Sequence, residues 1–194
     1  ALWSYHRPGF SCTALPNGPF SRKDLVGSRL ALSPDRTHLA CRIPASGKGD
    51  HDALTIVLDA RTGQVTGQHA SHSAWALQLT DSALLDGATA YDLNTGEYKK
   101  SIPFGEQALA MVNDDERDLV YVTDFKTGKV GVIDTRSSQI IGEVQAGAKG
   151  ANDITIGAEG EVYVANKDGY VAEATVPYAV DRETGDYTNS TQSV

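Results

Sequence analysis

Five histidines, His6, His38, His51, His69 and His72, are the side chains of this sequence best suited to metal binding or proton transfer. His69 and His72 are three apart, and His51 is flanked by Asp50 and Asp52. Imidazole and carboxylate together suit a zinc-like ion, but His-x-x-His matches zinc geometry best on a helix. Here it falls in a turn between repeats, so solvated loop residues are the preferred reading. Asn113-Asp114-Asp115-Glu116 with Asp118 offers oxygens enough for calcium. The alternating ligands, central glycine and closing glutamate of an EF-hand loop are missing, so the run reads as a solvated hairpin tip. Trp3, Tyr5, Trp75 and Tyr91 could line a carbohydrate or peptide groove, although strand packing accounts for each.

Signatures of enzyme chemistry are missing. There is no Gly-x-Ser-x-Gly elbow, no Walker loop, no dinucleotide-binding glycine triad and no Cys-x-x-Cys-His haem attachment. Gly47-Lys48-Gly49 is too short to cradle phosphates, and Asn189-Ser190-Thr191 has only the form of a glycosylation sequon. No catalytic residue, cofactor or metal ligand is assigned. Cys12 and Cys41 are the two cysteines and belong to no Cys-x-x-Cys motif. In an exported protein they are expected to pair, constraining the unfolded chain by roughly 3–4 kcal/mol. Two buried thiols in a cytosolic protein are the alternative.

Composition narrows the partners. The 194 residues suit one domain, or at most two small ones, and hide about 70% of the unfolded surface. A formal charge of −8, with 17 scattered Lys and Arg, speaks against nucleic acid and anionic membrane surfaces. Apolar runs such as 108–112 fall far short of the ~20 residues of a membrane helix, so no transmembrane segment is expected. The sequence starts at Ala1 with neither Met nor a signal-like apolar core, as after removal of a targeting segment or after trimming.

The elements that must position these residues are strands. Residues 1–27 are irregular and broken by Pro8, Pro16 and Pro19, with an alternating Leu2-Trp3-Ser4-Tyr5 that could close the last repeat. From Ser28 onward short β-branched runs alternate with Gly- and Asp-rich turns, and no window sustains a helical period. Four strands per unit recur over about 28–70, 73–105, 107–147 and 150–190. The aspartate closing each third strand, Asp59, Asp92, Asp134 and Asp181, returns roughly every 40 residues. Its side chain can bond turn amides while a following glycine accepts positive φ. That period predicts an all-β fold, a β-propeller of about four blades.

The stretch 118–144 is the cleanest copy. Tyr121-Val122-Thr123-Asp124 followed by Val130-Gly131-Val132-Ile133-Asp134-Thr135 resembles the YVTN-type β-propeller repeat, and Tyr163-Val164-Ala165-Asn166 is a looser second copy. The likeness is good over residues 107–170 and only an outline over 28–106. It implies a scaffold of the kind found in bacterial surface and exported proteins and beside periplasmic redox enzymes. It carries no catalytic residue. Complete propellers of this type usually have seven or so blades. A compact ring, a piece of a longer protein and a half-ring completed by a second copy therefore all remain open. The expectation is an extracytoplasmic, non-catalytic domain that binds a protein, peptide or glycan through loops on one face. A propeller enzyme with its site in loops or missing blades, and a structural envelope module, are the alternatives.

Overall fold

A computed structural model describes residues 3–6, 11–14, 29–44, 53–71, 76–147, 149–158, 160–174, 178–180 and 187–189. The loop 45–52, with His51, lies outside these residues, as do His72, Trp75 and Asp181. So do the side chains of Trp3, Tyr5, His6 and Cys12.

Every regular element among the described residues is a strand. The N-terminal pair is β1 (Trp3–His6) and β2 (Ser11–Ala14). The first blade is β3 (Arg29–Leu32), β4 (His38–Pro44), β5 (Ala53–Asp59) and β6 (Val65–Ser71). The second is β7 (Leu77–Leu79), β8 (Ala83–Asp86), β9 (Thr89–Asp92) and β10 (Tyr98–Ser101). The third is β11 (Ala108–Asp114), β12 (Leu119–Asp124), β13 (Lys129–Asp134) and β14 (Gln139–Gln145). The fourth is β15 (Ala151–Ile156), β16 (Val162–Asn166) and β17 (Val171–Ala174), followed by β18 (Tyr178–Val180) and β19 (Tyr187–Asn189). Each blade is an antiparallel meander in chain order. The sheets pack in sequence, β3 and β4 against β7, β7 against β11, and β11 and β12 against β15. Four blades laid side by side this way make a β-propeller.

Two pairings differ from the sequence reading. Trp3–His6 joins β2 rather than closing the last blade. The 178–180 strand pairs with 187–189 instead of supplying a fourth strand beyond β17. In both cases a near neighbour wins, because closing a short loop costs less chain entropy than recruiting a distant edge.

Alternation builds the core. In β12 and β13 both faces are buried, since a middle blade has neighbours on each side. Tyr121, Val130 and Val132 face the fourth blade with Ile154, Val162 and Val164. Val120, Val122 and Ile133 face the second blade with Leu85, Ala90 and Phe104. In the first blade Ala31, Ala40 and Val57 pack on Leu77, Leu79 and Leu84. The opposite face gathers Cys41, Ile43, Ile56 and Leu58. Leu30 pairs with Cys41 across the ladder, so it shares that face, yet it is 61% exposed.

Where the first two blades meet, the interface is polar at its centre, and of the polar atoms gathered there His69 Nδ1 is buried without a hydrogen-bond partner among the described residues. Asp86, on β8, accepts hydrogen bonds from Thr55 Oγ1 (2.9 Å), Ser71 Oγ (2.9 Å) and His69 Nε2 (3.0 Å), all from the first blade. Ser71 Oγ in turn accepts from Arg42 Nε at 3.2 Å, and Arg42 is only 2% exposed. The His69 ring stacks on Tyr91 of the second blade, with centroids 3.6 Å apart. Toward the outer edge the backbones touch. A Cβ on Gly67 would lie 2.5 Å from the Thr95 carbonyl carbon, and one on Gly96 would lie 2.7 Å from the Gln68 amide nitrogen.

Asp86 is the common acceptor of this cluster. Asp86→Ala leaves two hydroxyls and an imidazole without it, and should cost about 3 kcal/mol. Chemical denaturation of the variant checks this, and a loss under about 1 kcal/mol would mean that apolar packing alone joins the blades.

Candidate functional site

The innermost strands of the four blades, β3, β7, β11 and β15, begin around a common cavity of about 530 Å³. The first blade contributes Arg29 and Leu30, and the second Leu77 and Gln78. The third adds Gln107, Leu109, Ala110 and Met111, with Phe125 from the β12–β13 turn, and the fourth adds Asn152 and Asp153. A volume of this size is ordinary for a small-ligand site.

Two bulges shape the wall. The register of β11 on β12 slips between Ala108 and Met111, and that of β15 on β16 slips between Ala151 and Asp153. A bulge frees a residue from the ladder and re-aims its side chain. Leu109, Ala110 and Asn152 are the freed residues, and all three line the cavity. The amide that β11 loses to its bulge is recovered locally, because Ala110 N donates to Thr123 Oγ1 at 3.1 Å.

Asp124 holds two parts of this wall together. Its carboxylate is fully buried and accepts from Glu106 N (2.9 Å), Gln107 N (3.0 Å), Lys126 N (3.0 Å) and Thr127 Oγ1 (2.7 Å). The first two belong to the connection from the second blade, and the last two to the turn that presents Phe125. Gly105 approaches so closely that a Cβ there would lie 2.2 Å from Asp124 Oδ2, and its φ of 56° also requires glycine. Burial opposes the charge on Asp124. The bonds from Thr127, Glu106, Lys126 and Gln107 outweigh it and hold the carboxyl below its ordinary 3.8.

The same aspartate turn recurs with local partners. Asp59 Oδ1 accepts from Arg61 N, Thr62 N and Thr62 Oγ1, and Gly63 follows at φ 71°. Asp92 repeats this with Asn94, Thr95 and Gly96. Asp134 does so with Arg136 and Ser137, and Ser138 takes the positive φ in place of glycine. These bonds, those from Thr62 and Thr95 foremost, also lower the pKa of Asp59 and Asp92.

The residues singled out in the sequence are dispersed. His69 is not a loop residue but a half-buried member of β6, engaged with Asp86 and Tyr91. His38 spans the blades instead, Nδ1 against Thr37 Oγ1 and Nε2 against Asn94 Oδ1 at 3.2 Å. Asp114 is not solvated. It is buried and accepts from Arg117 Nη1 (2.8 Å) and Tyr121 OH (3.1 Å), while Asp118 meets Arg136 Nη2 at 2.6 Å. Burial and the Asp114 charge push the Tyr121 hydroxyl pKa up. Among the described residues no three His, Cys, Asp or Glu side chains are grouped to hold a metal. Of the aromatic quartet only Tyr91 can be placed, and it stacks on His69 and meets Tyr98 edge-on, away from the cavity. Cys41 is a buried free thiol, pushed up to about 11 by desolvation, and its expected partner Cys12 has its side chain outside the described residues. No helix among the described residues is long and apolar enough to cross a membrane.

No family model and no curated protein sequence matches the chain. Solved structures do. The Cps50 (Swd1) β-propeller domain of Myceliophteria thermophila aligns with a TM-score of 0.57 at 14% identity, covering 83% of this chain and 56% of that one. The computationally designed Ika8 protein aligns at 0.56 and 19% identity, covering 75% and 45%. Hydrazine synthase of Kuenenia stuttgartiensis aligns at 0.54 and 19% identity, covering 77% and 49%. These likenesses establish the β-propeller fold, and the chain spans about half the length of those proteins.

Protonating Asp124 in the folded state is harder than in the unfolded chain. Its contribution to stability is therefore complete above about pH 4 and is lost as the pH falls through the lower folded value. Asp124→Asn should be less stable by about 1–3 kcal/mol at pH 7, with the gap to the parent narrowing on acidification. Denaturation midpoints of both proteins between pH 7 and pH 2 test the sign, and a constant gap would contradict it.

Proposed function

We propose that the chain is a non-catalytic, YVTN-type propeller domain that captures a peptide or peptide-like ligand where its four innermost strands begin. The cavity there is the observation that carries this reading. Carboxamides from Gln78, Gln107 and Asn152 alternate around it with the apolar side chains of Leu77, Leu109, Met111 and Phe125. A carboxamide both donates and accepts, which suits the N–H and C=O of a peptide group. A protein ligand would present such a segment as a loop or terminus. A glycan is less well served, because sugar rings favour flat aromatic platforms and among the described residues the cavity wall holds one aromatic ring, Phe125.

The domain is read as extracytoplasmic, with Cys12 and Cys41 oxidised to a disulfide in the exported form. Titration of the unfolded, unreduced protein should then reveal no free thiol, whereas two reactive thiols would contradict the pairing.

Binding is tested by thermal-shift and calorimetric screening of the whole chain against peptide and oligosaccharide panels, beside a general hydrolase and dehydrogenase screen. Leu109 lines the cavity outside the blade core, so Leu109→Trp should fill it and weaken peptide binding at least about tenfold without unfolding the protein. Turnover in the activity screen, with no peptide bound, would overturn the proposal.

A further inference from the structure

We infer that the cavity takes one uncharged, apolar side chain of its ligand against Phe125, and that Lys167 enforces that choice from outside the cavity wall. This rests on the peptide-binding reading above and narrows it to a side-chain class.

Phe125 is held where the third and fourth blades meet. Its amide donates to Gln107 O at 3.0 Å, and its carbonyl accepts from Gly150 N at 2.8 Å. Gly150 O in turn accepts from Lys167 N at 2.9 Å. The Lys167 stem then lies against Gly150, where a Cβ would stand 2.7 Å from Lys167 Cγ and the φ of 110° also favours glycine. Along that path the ammonium comes to lie over the Phe125 ring, 5.7 Å from its centroid. Lys167 does not line the cavity, and among the described residues its ammonium makes no ion pair. The ring is the counterpart this arrangement gives it.

A ring fixed in this way offers contact area at little entropic cost. Leu109 and Met111 stand in the same wall, as does Gln107, whose carbonyl receives the Phe125 amide. One blade therefore supplies both an apolar seat for a side chain and a carboxamide for the adjoining peptide group. The flexible thioether of Met111 lets that seat fit linear and branched chains alike.

Charge decides which side chains are accepted. The face of an aromatic ring attracts a cation through its quadrupole, and Lys167 already draws on that attraction. A second ammonium on the ring would gain less from it and would meet the first charge as well. Asp153 in the wall and a net charge of −8 would otherwise favour a basic ligand. The Phe125 seat opposes that bias, so an apolar side chain is accepted and a basic one is turned away.

Calorimetry of the full chain with Gly-X-Gly peptides blocked at both ends tests this, X being norleucine, leucine, phenylalanine or lysine. Norleucine and lysine side chains are similar in length and differ in charge. The norleucine peptide should bind at least about tenfold tighter than the lysine peptide, as burial of one apolar side chain allows. Lys167→Met should narrow that ratio about threefold by strengthening lysine binding alone, and Lys167→Arg should keep it. A merely structural role for Lys167 would instead weaken all four peptides alike. Lysine bound as tightly as norleucine, or more tightly, would overturn the side-chain assignment while leaving peptide binding intact. A ratio unmoved by Lys167→Met would overturn the part given to Lys167. No binding by any of the four would overturn this inference and the peptide reading together.

Discussion

The wall of the cavity depends on one buried carboxylate. Asp124 sits at the end of β12 and faces inward, where an unpaired charge would be costly. Four donors compensate it, two from the incoming connection and two from the turn that follows. Those donors belong to backbone that carries Gln107 and Phe125 into the cavity. The β11–β12 ladder ends at Ala108–Asp124, beyond which Phe125 N donates to Gln107 O at 3.0 Å, and the Asp124 bonds reinforce that last contact. Removing the charge therefore loosens the binding surface before it loosens the blade.

A similar logic joins the first two blades. Sheet-on-sheet packing is usually apolar, but here a carboxylate on one blade satisfies two hydroxyls and an imidazole on the other. Such a cluster is worth less than an equal area of well-packed hydrocarbon, yet it tolerates one registration of the blades and penalises others. Gly67 and Gly96 add a steric counterpart, since the two backbones approach more closely than any side chain would allow. Relative placement of the blades in turn sets how far Arg29 and Leu30 stand from Leu77 and Gln78.

Much of the architecture was legible in the sequence. Strands built on β-branched alternation, such as 53–59 and 119–124, occur as the pattern predicts, because their hydrophobic period and their burial agree. The aspartate turns at Asp59, Asp92 and Asp134 were readable too, since the turn amides and hydroxyls they accept from lie within four residues. Asp124 has the same local signature, Asp-Phe-Lys-Thr-Gly, but its bonds to Glu106 and Gln107 reach 18 and 17 residues back and leave no local trace. His69 was misread because nothing near it in sequence indicates Asp86 or Tyr91. The cavity was invisible for the same reason. It is lined by bulges and strand starts from four repeats, and a bulge appears only when two strands are paired. The terminal strands went astray where a nearby partner outcompeted a distant blade.

The direct test of the account is native-state hydrogen exchange at the amides of Glu106 and Gln107. Both lie in a connection that would exchange as fast as an exposed loop if Asp124 did not hold it. The account predicts protection comparable to that of the β12 amides, reduced in Asp124→Asn while β12 itself stays protected. Rapid exchange at both amides in the parent protein would contradict the claim that this carboxylate anchors the wall of the cavity.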